Sequence, residues 1–342
     1  MAEEKPVVAQ QEYGTPRKGG KVRRHCARWW WVHLIVFILI ALLVVLLVIF
    51  VAIPKIAQKK INEAQLAVQG ILITNTQSDN YTMAINSTIH ASSPVHATIS
   101  PFKGQMYLED LEPHTPFVEL DFPQTTSDPE QLVNTTQFVT ITDMDAFTTF
   151  NKFLLTNETL RVTLSGKTHV KVKGIAKKFS VNFKKTITMP GLRNFEGTTV
   201  SDTTISLTPD ENGDNFKGLV NIPNHSIVNF EIGNATFHNY LLGEEIGTVF
   251  VDNMILRPGL NNTFAMRANI KQAPVLTAMG KKPYCDTGIL PFQMRGKTVL
   301  NHGQPLSYYA DSLASTNQTV NIDIATPLKK DLMMDIPCSK NQ

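Results

Sequence analysis

The sequence predicts a mainly β protein, with one N-terminal transmembrane helix followed by two tandem antiparallel β-sandwich domains. Three observations carry this reading. An uncharged apolar run fills Leu34–Ile53. The chain after it alternates apolar and polar residues with a period of two over long stretches, which puts successive side chains on opposite faces of a strand. Short motifs also recur in the same order at offsets of 135 (79 to 214) and 130 (165 to 295).

The apolar run, LIVFILIALLVVLLVIFVAI, contains no charge, proline or glycine. At 1.5 Å rise per residue its helix spans about 30 Å, the hydrocarbon thickness of a bilayer. Transfer of such a run into lipid is favourable by roughly 6 to 10 kcal/mol. A buried core helix of this length would carry a polar stripe, and none is present. Upstream stand Arg17, Lys18, Lys21, Arg23, Arg24 and Arg28, then Trp29, Trp30 and Trp31; downstream only Lys55, Lys59 and Lys60 follow. The positive-inside rule then gives a cytosolic N-terminus. No small-x-small cleavage site follows the run, so it reads as a type II signal anchor. Residues 1–28 form a disordered basic cytosolic tail, 29–53 the membrane segment, and everything beyond is lumenal or extracellular.

Charge agrees with this division. Residues 1–33 carry seven Lys/Arg and three Glu, a net +4; the remainder holds 25 basic and 26 acidic residues, a net −1. The basic excess belongs to the tail, where it meets anionic lipid headgroups rather than nucleic acid. Cys26 lies in that tail, where palmitoylation is the functional reading and a reduced thiol the plain one. Cys285 and Cys338 stand alone on the oxidising side, and an even pair there predicts a disulfide tying down the C-terminal tail. Eight N-x-S/T sequons occur, at Asn80, Asn86, Asn134, Asn157, Asn224, Asn234, Asn261 and Asn317, all after the anchor. They are glycosylation candidates in a lumenal domain, and Asn224, following Pro223, reads as an exposed turn site.

Along the chain, 54–69 (PKIAQKKINEAQLAVQ) opens with proline and reads as a stalk helix running into a first strand. The clearest alternation sets Leu160, Val162, Leu164, Gly166, Thr168, Val170 and Val172 against Arg161, Thr163, Ser165, Lys167, His169, Lys171 and Lys173. After Gly174 the return strand places Phe179, Val181, Phe183 and Ile187 on one face, which makes an antiparallel hairpin with one buried side. Met144–Leu155 has Phe147, Phe150, Phe153 and Leu154 at helical spacing, with Asp143 placed to cap it. Asp79-Asn80-Tyr81 recurs as Asp214-Asn215-Phe216, and Ser165-Gly166-Lys167-Thr168 as Arg295-Gly296-Lys297-Thr298. Around the second copies the order strand, helix, long strand repeats at Thr263–Asn269, Gln272–Met279 and Ile289–Leu300. The duplication predicts two immunoglobulin-like sandwiches, at 70–192 and 204–325, with a boundary near Arg193–Thr203 and a tail over 326–342.

Candidate chemistry is sparse. Asp143-Met144-Asp145 after an apolar strand has the D-x-D form that holds a metal–diphosphate in glycosyltransferases. The same residues serve equally as a helix cap and a first-turn anion, and the chain lacks the alternating helices of a nucleotide fold. Both Gly-Lys-Thr tripeptides lack the upstream glycine of a phosphate loop. Asp210-Glu211-Asn212-Gly213-Asp214 reads as a turn, and the histidines show no metal spacing. No catalytic residue, metal site or cofactor is expected. The most distinctive surface lies between Thr159 and Phe195, which hold nine Lys/Arg and no acid. On it Lys167, His169, Lys171 and Lys173 share one strand face, open either to solvent or to lipid headgroups and other anions.

The basic tail, the anchor, the Pro-Lys-Ile-Ala-Gln stalk (Pro54–Gln58) and the repeated strand–GKT–strand units resemble a fungal family of single-pass membrane proteins. Its lumenal domain has no assigned function and is similar to the type-2 late embryogenesis abundant sandwich. The resemblance covers most of residues 28–325. It implies a vacuolar or related endomembrane location, with the plasma membrane as the alternative, and a lipid-binding role through an apolar groove. It offers no catalytic motif. The expected function is therefore non-enzymatic: lumenal β-domains that bind lipid or a protein partner close to the bilayer. A glycan- or wall-contacting surface protein is the alternative, and a glycosyltransferase using Asp143 and Asp145 the third reading.

Overall fold

The computed structural model describes residues 20–91, 96–259 and 261–339, with side chains from Trp29 onward. Residues 1–19 of the expected disordered tail lie outside the described residues, whereas Gly20–Arg28 are helical as the start of α1, and the Cys26 side chain expected to carry palmitoylation lies outside the described side chains. Contacts separate two units, one ending at Ile56 and the other beginning at Ala57.

Helix α1 (Gly20–Leu47) continues through a π turn at Val48–Ala52 into α2 (Ile53–Glu63), and the boundary between the units falls within α2. The stretch Trp29–Glu63 is one helix long and apolar enough to cross a membrane, and none of its apolar window is buried. A helix that is apolar on every face and unburied suits lipid rather than a protein core.

The second unit is sheet-rich, as expected. Its first half runs β1 (Gln65–Thr74), β2 (Asn80–His90), β3 (Ala97–Ile99), β4 (Phe102–Leu108), β5 (Val118–Phe122), β6 (Thr125–Thr126), β7 (Glu130–Thr140), α3 (Met144–Thr156), β8 (Thr159–Val172) and β9 (Lys178–Pro190). The second half runs β10 (Thr199–Ile205), β11 (Phe216–Pro223), β12 (Val228–Leu241), β13 (Glu244–Leu256), β14 (Asn261–Ile270), α4 (Gln272–Met279), α5 (Tyr284–Thr287) and β15 (Ile289–Asn301). It closes with β16 (Gln304–Pro305), α6 (Ser307–Leu313), β17 (Gln318–Asp323) and α7 (Ala325–Leu332). The expected hairpin is β8–β9, in register from Thr159 opposite Pro190 to Lys171 opposite Lys178.

Two sheets result. The smaller has the order β5-β4-β8-β3-β6, with β9 on the other edge of β8. The larger runs β10-β11-β14-β13-β12 and then forks. Residues Val228–Phe230 of β12 pair in parallel with Ile71–Ile73 of β1, whereas Asn234–Leu241 pair antiparallel with β15. Beyond β1 the sheet continues into β2 and β7. The sheet that forms one layer of the first half is thus an extension of the second half's sheet, bridging the boundary expected near 193–203. The stalk helix, expected over 54–69, ends at Glu63, and β1 takes over at Gln65. The alternation decides this: Leu66 and Val68 turn inward, while Gln65, Ala67 and Gln69 stay exposed.

The repeated motifs occupy matching environments. Tyr81 and Phe216 are both buried, at 1% and 4% exposure. Gly166 and Gly296 are close-approach positions: a Cβ on Gly166 would meet the Phe102 ring and the Lys103 carbonyl, and one on Gly296 would meet Leu313. Lys167 and Lys297, next in each motif, are exposed on strands. In the second half, β17 returns beside β10. Two inward rows, Phe216–Ala268–Val249–Phe237 and Leu241–Phe292–Val320, fill the space within. Cys285 and Cys338 form the expected disulfide, pinning the segment after α7 to α5.

Candidate functional site

The first half is built differently inside. Between β1, β2, β7 and the start of β12 on one side, and the smaller sheet on the other, lies an apolar cavity of about 110 Å³ measured to the centre of a water-sized sphere. Its length follows from β2: Tyr81, Met83, Ile85, Ser87 and Ile89 all line it. Those eight steps (81 to 89) at about 3.3 Å each cover about 26 Å. Phe147, Phe150 and Leu154 of α3 close one end. The α3 rings stack on Tyr81 and Phe117, and Phe147 meets Tyr308 of α6 edge-on at 5.0 Å. Burial pushes the phenols of Tyr81 and Tyr308 up, so both stay neutral. At the other end, near Ile61 and Ala64, the partly exposed Leu66, Val68, Ile89, Phe122 and Pro123 mark the mouth. Phe102 packs on Phe122 and Phe183 there, at 5.1 Å between ring centroids in each pair.

The mouth exists because two strand edges do not meet. Among the described residues β1 pairs with β12 only through Ile71–Ile73, and Gln65–Gly70 have no ladder partner on that side. Among the described residues β9 pairs only with β8. The end of α2 and one lysine bridge this gap. The Gln58 amide donates to the Asn182 carbonyl and accepts from the Asn182 N–H, both at 2.8 Å. Lys185 Nζ donates to the Asn62 carbonyl at 3.0 Å and to the Ala64 carbonyl. These are carbonyls at the C-terminal end of α2, which an ammonium suits. Along β9 the inward row reads Phe179, Val181, Phe183, Lys185, Ile187, Met189, so Lys185 interrupts an otherwise apolar face. Burial pushes its ammonium down from the ordinary lysine range. The sequence reading passed over it, although a lysine at an inward strand position was a readable signal.

The basic face predicted on β8 is real in its geometry. Lys167, His169, Lys171 and Lys173 are all exposed, and Lys171 faces Lys178 directly across the ladder. Neighbouring charges are neutralised: Lys103 by Glu119, Lys184 by Glu109, and Arg161 by Asp110. Among the described residues no carboxylate lies within 4.0 Å of Lys167, Lys171, Lys173 or Lys178.

Asp143 is the N-cap of α3, its carboxylate accepting from the Ala146 N–H at 2.8 Å. Asp145 sits in the first turn. Both border a shallow recess with Leu108, Leu111 and Pro113. Asp210 closes its own turn by accepting from the N–H groups of Asn212 and Asp214.

Of the glycosylation candidates, Asn86, Asn134, Asn234, Asn261 and Asn317 are exposed, and Asn80 and Asn157 are half-buried. Asn86 and Asn134 stand directly opposite each other across β2 and β7. Asn224 corrects the sequence reading. It is 3% exposed, its amide donates to the Val228 and Leu256 carbonyls, and its oxygen accepts from Ser226. A polar side chain that satisfies a buried turn from inside cannot also present its nitrogen to solvent, so proline before it marks a tight turn rather than an exposed one.

Residues 115–239, which include β5 to β9 and most of β12, match the family described as "Protein of unknown function (DUF3712)". No curated protein matches the chain. Among solved structures, a glycosyl hydrolase family 2 member from Bacteroides cellulosilyticus aligns with 45% of this chain and 16% of its own, at 7% identity and a TM-score of 0.21. The chain thus spans about one sixth of that hydrolase. A bacterial adhesin from Mobiluncus mulieris, with intramolecular disulfide, isopeptide and ester cross-links, aligns with 76% of this chain and 98% of its own, at 7% identity and a TM-score of 0.20.

Proposed function

We propose that this is a non-catalytic, membrane-anchored lipid-binding protein whose β unit holds an acyl chain between the sheets of its first half. The observation that carries the reading is the cavity. Its lining side chains are apolar except for Tyr81, Ser87 and Thr125, and the Ser87 hydroxyl is already committed to the Val133 carbonyl. Water entering would find few partners, whereas an acyl chain gains about 0.8 kcal/mol per buried CH₂. Left empty, a void of this order costs roughly 2 to 3 kcal/mol. An occupant therefore relieves a cost that folding alone leaves standing.

Two further features support work close to a bilayer. Only seven residues (54 to 60) separate the end of the apolar run from Ile61 on the cavity wall. The unpaired lysines of β8 suit anionic groups displayed on the lumenal side. The N-terminus is cytosolic in this reading and the β unit lumenal, which the basic flank and the exposed sequons support. The vacuolar or related endomembrane location draws on the family resemblance, and surface rather than vacuolar signal from a tagged chain would move it to the plasma membrane.

The test is to secrete residues 54–342 from a eukaryotic host, purify them without detergent and identify bound lipid by mass spectrometry. A control β-sandwich made the same way sets the background. Stoichiometric lipid above that background is the expected result. A folded, lipid-free protein would sink the proposal and leave a scaffold with protein or glycan partners.

A further inference from the structure

The geometry points to Lys185 as the headgroup ligand of the cavity: it binds the carboxylate of a single-chain fatty acid whose tail lies between the sheets. This rests on the lipid reading above and names the ligand's class. Strand alternation puts Lys185 on the inward side of β9, at the rim of the cavity between Phe183 and Ile187, both of which line it. Its ammonium reaches the carbonyl of Ala64, another lining residue, and that of Asn62. Two of its three N–H donors are used in this way, and one is left. No carboxylate within 4.0 Å pairs with it among the described residues, in contrast to its neighbour Lys184, which pairs with Glu109 on the outer face at 3.6 Å. A partly desolvated cation without a counter-ion is costly, and a ligand that brings the counter-ion removes that cost.

The same features select among anionic lipids. One remaining donor on one cation suits a compact, singly charged carboxylate; a phosphate would call for several donors. The cavity lies between facing sheets, whose spacing of about 10 Å leaves one layer of side chains and the width of one extended chain. A tail anchored at Lys185 would point toward the aromatic end at α3, so its methyl end would lie near Phe147 and Phe150.

The test uses the full-length chain reconstituted in phosphatidylcholine vesicles. The probes are three long-chain lipids with a diazirine at the methyl end: the fatty acid, the fatty alcohol of equal length, and the corresponding phosphate monoester. Labelling of the Met144–Thr156 peptide reports the cavity, and labelling of the Leu34–Ile53 segment reports probe dissolved in the bilayer. The fatty acid should label α3 most strongly. Lys185→Gln should lower that labelling about tenfold, the loss of one charged hydrogen bond. Alcohol labelling should persist in the same variant, reporting an intact cavity, and Lys185→Arg should restore the acid. Equal labelling by acid and alcohol, unchanged by Lys185→Gln, would overturn the assignment to Lys185 and leave the lipid cavity standing. Stronger labelling by the phosphate would overturn the carboxylate assignment. Labelling of the anchor segment alone, by all three probes, would overturn this inference and the lipid reading together.

Discussion

The two halves of the β unit use the same strand grammar to different ends. In the second half, β12 to β15 and β17 curl until β17 lies beside β10, and inward residues from Phe216 to Val320 fill the interior. A recess of about 40 Å³ near Phe216, Phe292 and Leu328 is left at its edge. In the first half, the edges of β1 and β9 stay apart, bridged by Gln58 and Lys185, and about 110 Å³ remains open within. The difference is one of edges rather than composition, since both interiors are made of Phe, Leu, Ile, Val and Met. A half that closes can act as the frame, and the half that stays open is where the proposed lipid would lie.

The largest effects should separate the halves by truncation. Phe292→Ala removes a ring that is 1% exposed within the closed core, and should cost about 3 to 5 kcal/mol. Phe122→Ala removes a half-exposed ring at the cavity mouth, where one side already lacks partner atoms. It should cost about 1 to 2 kcal/mol. Urea midpoints of the two variants check this. Equal losses would mean that the first half is as tightly packed as the second, and the contrast would fall.

Next comes the disulfide. Cys285 and Cys338 are 53 residues apart, and removing the bond from a loop of that length should cost about 2 to 4 kcal/mol. Both cysteines lie in the second half, so the double Ser variant should unfold at lower urea while still binding the proposed lipid at moderate temperature. Lipid lost in step with stability would show that the frame and the cavity are not separable.

A smaller but sharper test adds volume instead of removing it. Val133→Phe projects into the cavity and should leave stability within about 1 kcal/mol of the parent, or raise it, while displacing bound lipid. Val249→Phe enlarges a residue 1% exposed in the closed half and should cost about 1 to 3 kcal/mol. If Val133→Phe were the more damaging of the two, the cavity would already be filled by side-chain motion in solution.

Much of this architecture was legible in the residues. The apolar run, the β8–β9 hairpin, the Asp143-capped helix, α4 at Gln272–Met279 and the Cys285–Cys338 pair follow from local chemistry, because periodicity, capping and compartment act over short distances. The parallel β1–β12 ladder was not legible, since nothing local in Ile71–Ile73 says which distant strand will lie beside it. The cavity was hidden for a related reason: Met83 and Ile85 alternate in sequence as core residues do, and whether they meet a partner depends on how far apart the sheets are held. Asn224 was misread because the pattern around Pro223 specifies a turn but not which way the turn's side chains face. Lys185 was readable as a break in the inward row of β9, and its meaning needed the carbonyls of Asn62 and Ala64 beside it.

The smallest expected effect tests the joint between the halves. Glu231 on β12 accepts from the Asn75 N–H, just past β1, and from Asn301 and His302, at the end of β15, at 3.2 and 2.9 Å. Burial alone would raise its carboxyl, but these donors outweigh it and hold the group below the ordinary glutamate range. A depressed carboxyl stabilises the fold above its unfolded pKa, and that contribution disappears as pH falls through the folded value. Glu231→Gln should therefore be less stable than the parent at neutral pH, with the gap narrowing below about pH 4.5. Urea midpoints across that range read the gap. A gap that persists undiminished in acid would mean that shape, not charge, holds β12 to both neighbours. The open and closed halves would then be joined by packing alone.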